Sequence, residues 1–322
     1  MKLQSTVLAI IILGSCSSFA QVASSTSSVN SSLEKKSEFS NSLQLGYVYN
    51  RLSMNTEGAK QKNDVSYEPS SPDNYAIGWS NRPLGISLSA KFAEGRQLER
   101  RVKTTRDDYQ IRYLKEQLGL ELIYQRYAGF EASGKYGQSM PTADAVRSNL
   151  TITMYKAQVE WKVHGVGALG YFGASWEKPK QDGAGYYLLS SISQVEVNNP
   201  TPFLPQMYAF AFGEDASITS GTYQSLQVGV GASYVWQWER FYIAIYGGAQ
   251  GGPQKQIYKT TKGNEEAFKL FGNLESKLVL GYDFGNWFIN AIGHTHPLTV
   301  DLKDTKLSFF TQDAGIYAGT RF

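Results

Sequence analysis

The sequence predicts an all-β fold: a transmembrane antiparallel β-barrel of about twelve strands, or roughly fourteen on an alternative count. Three observations carry that expectation. The 322 residues include 21 Tyr, 16 Phe, 6 Trp and 31 Gly, yet past the start of the chain no apolar run approaches the roughly 20 residues a membrane helix needs. Apolar and polar residues instead alternate over long stretches, as in strands with one apolar face. The chain also finishes on such a stretch, residues 313–322, where Thr320, Ala318, Ile316 and Ala314 are uncharged and the last residue is the aromatic Phe322. Helical membrane proteins are thereby excluded. The net charge of +3 is too small and too evenly spread for a nucleic-acid binder.

Met1 and Lys2 precede an apolar run over 7–13 and then Gly-Ser-Cys-Ser-Ser-Phe-Ala, the layout of a secretory signal cleaved after Ala20. Leu13-Gly14-Ser15-Cys16 also resembles a lipobox, which would leave a lipidated Cys16 at the new terminus. Cys16 is the only cysteine, so cleavage after it leaves no disulfide or thiol chemistry. Residues 21–42 are dominated by Ser with Glu34, Lys35 and Lys36 and lack apolar periodicity, which predicts a disordered periplasmic tail. The expected organisation is a signal peptide over 1–20, this tail over 21–42 and the barrel over 43–322.

Strict alternation starts after Ser42. Leu43, Leu45, Tyr47 and Tyr49 form one face; Gln44, Gly46, Val48 and Asn50 form the other. A polar loop over 55–63 leads to a strand ending in Tyr75, Ile77 and Trp79. Asn81-Arg82-Pro83 then turns the chain into Leu84, Ile86, Leu88, Ala90 and Phe92, opposite Gly85, Ser87, Ser89 and Lys91. A soluble sandwich would show the same alternation with its apolar face inward, so the hairpins must discriminate. With Glu116-Gln117 as a two-residue turn, Tyr113 faces Leu120, Ile111 faces Leu122, Tyr109 faces Tyr124 and Arg112 faces Glu121. With Trp238-Glu239 as a turn, Trp236 faces Phe241, Tyr234 faces Ile243 and Ala232 faces Ile245. With Gly285-Asn286, Phe284 faces Trp287, Tyr282 faces Ile289 and Leu280 faces Ala291, while Glu275 and Lys277 fall opposite His296 and His294. Charges recurring in mid-strand are costly in a dry sandwich core and suit a polar lumen.

The middle is less regular. Leu150, Ile152 and Met154 give way to Ala157, Val159, Trp161 and Val163, a change of phase near Tyr155 that predicts a bulge or bend. Residues 169–176 and 186–197 read as the next two strands. Pro200, Pro202 and Pro205 argue against a central strand over 198–222, although 207–212 could form one. Including it gives the fourteen-strand alternative; omitting it leaves thirteen, an odd count, and twelve follows if two of the segments are really one or one lies outside the wall.

Several stretches together resemble the bacterial outer-membrane family catalogued as domain of unknown function 4421. They are Ser66-Tyr67-Glu68-Pro69 with Asn74-Tyr75-Ala76-Ile77-Gly78; Leu120-Glu121-Leu122-Ile123-Tyr124-Gln125-Arg126-Tyr127-Ala128-Gly129-Phe130; Ala184-Gly185-Tyr186-Tyr187-Leu188-Leu189; Gly231-Ala232-Ser233-Tyr234-Val235-Trp236; and Gly319-Thr320-Arg321-Phe322. The resemblance implies an outer-membrane barrel and no transferable activity. Ala128 stands where the family pattern expects Lys, and Gln181-Asp182-Gly183 replaces a more basic run.

Candidate pore-lining residues are Arg112, Glu121, Glu275, Lys277, His294 and His296. Of the three histidines, His164 sits at an expected turn, and a solvated loop residue is its plain explanation. His294 and His296 share a strand face at a spacing that could chelate a metal, but no third ligand is evident beyond Glu275; neither a metal nor another cofactor is expected. A basic outer loop carries Arg96, Arg100, Arg101, Lys103 and Arg106, either as a solvated charge run or as a contact for lipopolysaccharide phosphates. The expected partners are outer-membrane lipid, lipopolysaccharide and, through the last strand ending in Phe322, the barrel-insertion machinery, with no nucleic acid. The leading functional expectation is a passive or narrowly selective small-solute channel. A closed structural or surface-contact barrel is the alternative, and a barrel enzyme using His294 and His296 comes third.

Overall fold

The computed structural model describes residues 39–58, 64–70, 73–81, 83–93, 102–115, 117–134, 140–141, 145–166 and 181–322. The strands are β1 (Asn41–Gly58), β2 (Asp64–Glu68), β3 (Asp73–Asn81), β4 (Ile86–Ala93), β5 (Thr105–Lys115), β6 (Leu118–Ser133), β7 (Val146–Gly165), β8 (Gly183–Asn198), β9 (Ser220–Trp238), β10 (Phe241–Thr260), β11 (Gly263–Asp283), β12 (Trp287–Asp301) and β13 (Thr305–Arg321). Every neighbouring pair is antiparallel, and β13 pairs with β1 from Ser42↔Arg321 to Gly58↔Thr305, which closes the ring. β1 already begins at Asn41 and runs on to Gly58, so residues 55–58, expected as loop, extend the wall.

The ring tapers. β1 pairs with β3 over its first half and with β2 over its second, and β2 in turn pairs with β6. Of the thirteen described strands, all but β2 surround the end of the short turns, which leaves twelve there. At the other end β2 replaces β3, β4 and β5, which leaves ten. Twelve is thus the count at the wide end, and the fourteen-strand alternative falls: residues 207–212 are not a strand but part of the helical turns Gln206–Tyr208 and Ala209–Phe212. β7 pairs directly with β8; residues 169–176, expected as a strand, lie outside the described residues.

Alternation sets the faces as expected. Leu45, Tyr47, Tyr75, Leu88, Tyr109 and Ile111 are exposed on the outside, whereas Gln44, Val48, Asn50 and Ser87 are buried inside. The hairpin registers Arg112↔Glu121 and Leu280↔Ala291 are those the sequence predicts. The β9–β10 hairpin differs by two residues: Trp238 pairs with Phe241, and Glu239 and Arg240 form the turn. Glu239 takes the left-handed conformation there (φ 50°), which lets both aromatics stay in the wall. A shift of two keeps every side chain on its face, and the expected partners Trp236 and Phe241 remain diagonal neighbours, with ring centroids 6.4 Å apart.

The expected phase change near Tyr155 does not occur. β7 pairs with β6 without interruption from Leu118↔Trp161 to Ala128↔Thr151. Leu150, Ile152 and Met154 point inward, as do Lys156, Gln158 and Glu160 farther along, while Tyr155 is exposed. What changes is the chemistry of the interior. The register shifts lie instead on β6, between Ala128 and Phe130, where Gly129 supplies a φ of 89° that a side chain would resist, and near the end of β7, between Lys162 and His164.

Candidate functional site

The interior is stacked in three layers. At the end of the short turns Tyr187, Leu189, Val235, Tyr242, Ala244, Tyr246 and Val279 pack together. At the opposite end a larger apolar cluster includes Leu52, Met54, Tyr67, Phe130, Leu150, Ile152 and Phe309 from the wall. Between them lies a charged layer.

Alternation places the members of that layer, because each sits at an inward position of its strand. Arg112 of β5 donates to Glu121 of β6. Lys277 Nζ of β11 is 3.0 Å from Glu160 Oε1 of β7 and 3.6 Å from Glu121 Oε2. Gln158 Nε2 donates to Glu160 at 2.8 Å and to Glu275 at 3.0 Å. Glu275 also accepts from the Tyr246 hydroxyl at 2.7 Å and lies 3.4 Å from Lys156 and 3.5 Å from His296. Three cations, Arg112, Lys156 and Lys277, therefore face three carboxylates, Glu121, Glu160 and Glu275, all buried. Burial of ions is tolerable only with such pairing. A second cluster sits on the β4–β5–β13 side: Lys91 Nζ lies 2.9 Å from Asp313 and 3.6 Å from Asp108, and Asn50 and Gln125 donate to Asp108 at 2.6 and 2.8 Å.

Five of the six expected lumen residues, Arg112, Glu121, Glu275, Lys277 and His296, thus enter one network, and His294 stands opposite Lys277 on β12. Its missed members include Lys156, Gln158 and Glu160 on β7. Their i, i+2, i+4 spacing on β7 was the available signal, hidden by assigning the strand's apolar residues to a single face. His164 is exposed at the end of β7. His296 meets Lys156 and Glu275, neither of them a nucleophile of the hydroxyl or thiol type. Among the described residues no group of three or more His, Cys, Asp and Glu side chains is arranged to hold a metal. Of the basic patch, Arg96, Arg100 and Arg101 lie outside the described residues. Lys103 is in a connecting segment and Arg106 belongs to β5 rather than to a loop.

The connection 199–219 between β8 and β9 folds over the apolar end. Its Phe203, Leu204, Ala211, Phe212 and Ile218 are buried in the cluster there. The Phe203 carbonyl accepts from the Tyr67 hydroxyl and from Arg147 Nε, each at 2.9 Å. On top, Lys303 Nζ donates to Glu214 at 2.6 Å, and the backbone of Asp304 donates to Asp215 at 2.7 Å. The hydrogen bond from Lys303 holds the Glu214 carboxyl below its usual range, whereas burial pushes Asp215 up.

Together these features define a class: a closed antiparallel β-barrel with an apolar exterior, a charge-paired interior layer and an inserted plug. No family model matches the chain, and no curated protein matches it. Among solved structures it is similar to the outer membrane protease OmpT of Escherichia coli, at 8% identity over 91% of this chain and 99% of that one, with a TM-score of 0.36. It is similar too to the toluene transporter TodX of Pseudomonas putida (7% identity, 88% and 90% covered, TM-score 0.32) and to the attachment invasion locus protein Ail of Yersinia pestis (10%, 87% and 99%, 0.25). Likeness at this level decides nothing about activity; the barrel rests on the strand pairing of the chain itself.

Proposed function

We propose that the protein is an integral outer-membrane β-barrel closed along its axis, with a structural or surface-contact role in the envelope rather than passage of solute through its lumen. The observation that carries this reading is the filled interior: two apolar layers with a paired charge layer between them, under a plug anchored by Phe203 and Phe212. A small-solute channel would need a continuous bore through all three. Membrane placement is supported by the exposed apolar exterior and by Trp236, Trp238, Phe284 and Trp287, exposed beside the short turns as an interfacial girdle is.

Planar-bilayer recording of the refolded, heat-modifiable protein tests the proposal. The expected outcome is no steady current from the unaltered protein. Steady conductance by the unaltered protein would overturn the closed-barrel reading and restore the channel.

A further inference from the structure

A seam divides the wall between β11 and β12. β10 and β11 pair to the tip of their hairpin at Thr260↔Gly263, and β12 and β13 pair to Asp301↔Lys306. Between β11 and β12, however, the ladder stops at Ser276↔Thr295, although β11 reaches back to Gly263 and β12 on to Asp301. Pro297 stands two residues beyond the last pair. Its pairing with Phe310 of β13 is kept, which puts its missing N–H on the β11 side, where a ladder needs a donor. Only side chains bridge the seam: Asn273 donates to the Pro297 carbonyl at 3.3 Å and Lys269 to the Leu302 carbonyl at 3.0 Å.

A groove of about 910 Å³ runs across the outer wall to this seam, within the roughly 300–1,000 Å³ range of small-molecule sites. Its apolar sides include Leu188, Val230 and Leu274, its floor is Gly247 and Gly248, and its end at the seam is Ser276 and Thr295. Beside the seam β11 presents Leu270, Phe268 and Leu274 at 80%, 72% and 69% exposure.

We infer that this groove is a binding site for a single-chain amphiphile with a small, neutral, hydrogen-bonding head, entering from the bilayer; the inference rests on the membrane-spanning reading above. The groove opens on the apolar exterior, so its occupant arrives from the hydrocarbon phase and fills the sides with an alkyl chain. Backbone groups freed at a seam in hydrocarbon need partners, and a hydroxylated head supplies them together with Ser276 and Thr295. A charged head finds no counter-ion: the described lining holds no Lys, Arg or His for an anion, and both Glu275 oxygens are already engaged by Lys156, Gln158, Tyr246 and His296 on the inner side.

The test uses full-length protein in phosphatidylcholine vesicles and a long-chain monoacylglycerol with a photoreactive group on its chain, with labelled residues mapped by mass spectrometry. Labelling at Leu188, Val230 and Leu274 is expected to exceed that at the remote outer residues Leu45 and Ile111 by roughly tenfold, and to be competed by unlabelled monoacylglycerol but not by the fatty acid or an alkylammonium. Gly247→Phe fills the groove, since a side chain there meets open space, and is expected to abolish the excess; Gly293→Phe, equally unobstructed on β12, is expected to leave it. Equal labelling around the exterior, annular lipid only, overturns the site, as does an excess that survives Gly247→Phe. Flotation of the vesicles separates the two failures: protein that does not float with lipid sinks the membrane reading itself. Should Gly247→Phe not fold, the head-group competition on unaltered protein decides alone.

Discussion

The charged layer and the apolar long-loop layer fill the same barrel a few residues apart on the same strands, yet they hold it by different physics. On β7 the inward positions change from Leu150, Ile152 and Met154 to Lys156, Gln158 and Glu160 without a break in register. In the apolar layer each side chain contributes through the area it hides and the void it prevents. In the charged layer each ion repays its desolvation only through partners that are themselves buried. The first is a sum of contacts. The second stands or falls as a unit.

The largest expected effect comes from breaking that unit. Glu275→Ala removes one carboxylate from Lys156, Gln158, Tyr246 and His296 and should cost about 3–5 kcal/mol, as for a buried pair left without a partner. Urea unfolding in detergent, followed by Trp fluorescence, measures it; a loss no larger than a surface substitution gives would show that water enters the layer. Replacing Lys156 by Met and Glu275 by Leu together should return only part of that loss: no unpaired ion is left, but Gln158, Tyr246 and His296 still lack their shared acceptor.

Phe212→Ala, in the other layer, should cost about 3 kcal/mol through the cavity it leaves. Combined with Val235→Ala in the distant cluster, it should add within about 0.5 kcal/mol. Strong coupling between those two sites would erase the contrast between the layers.

The smallest effect concerns the exposed latch of the plug. Glu214, held low by Lys303, contributes stability that is present above its unfolded value and is lost as pH falls through its folded one. Asp215, raised by burial, has the opposite sign: its contribution is full at low pH and fades as pH rises through its folded value. Hydrogen exchange of 199–219 between pH 3 and 7 should therefore lose its acid-side opening in Glu214→Gln, whereas Asp215→Asn should remove the protection gained on acidification. Identical profiles for both variants would show that the plug is held by its buried phenylalanines alone.

Much of the wall was legible. Period-two alternation placed the outward faces of β1, β3 and β4, and tight turns pinned the β5–β6 and β11–β12 registers, because in a hairpin the loop length sets the pairing. The β9–β10 register moved by two since two positions for a turn leave the same residues facing out, and the pattern alone does not choose between them. Arg112 and Glu121 were readable as a pair because their strands are adjacent. Lys277 and Glu160 were not, because they meet across the lumen from strands that do not touch in sequence or sheet. The plug announced itself only as a proline-interrupted stretch; its destination depends on an inward apolar surface of β1, β2, β6 and β7 that alternation assigns as readily to the outside. Pro297, two residues beyond the last β11–β12 pair, is the sequence mark of the seam.

The divided pairing of β1 has a consequence for how the ring can assemble. One strand is held by β13 along its whole length, by β3 along its first half and by β2 along its second. A slip of β1 by one residue would turn its side chains to the wrong face in all three ladders at once, and a slip of two would need all three to be rebuilt together. β1 and β13 are also the most distant partners in the chain, so the loop-closure entropy of joining them is the greatest. The junction that closes the ring is therefore also the one where a misplaced β1 disturbs the most pairing, since β13 on one edge and β2 and β3 on the other all read their register from the same strand.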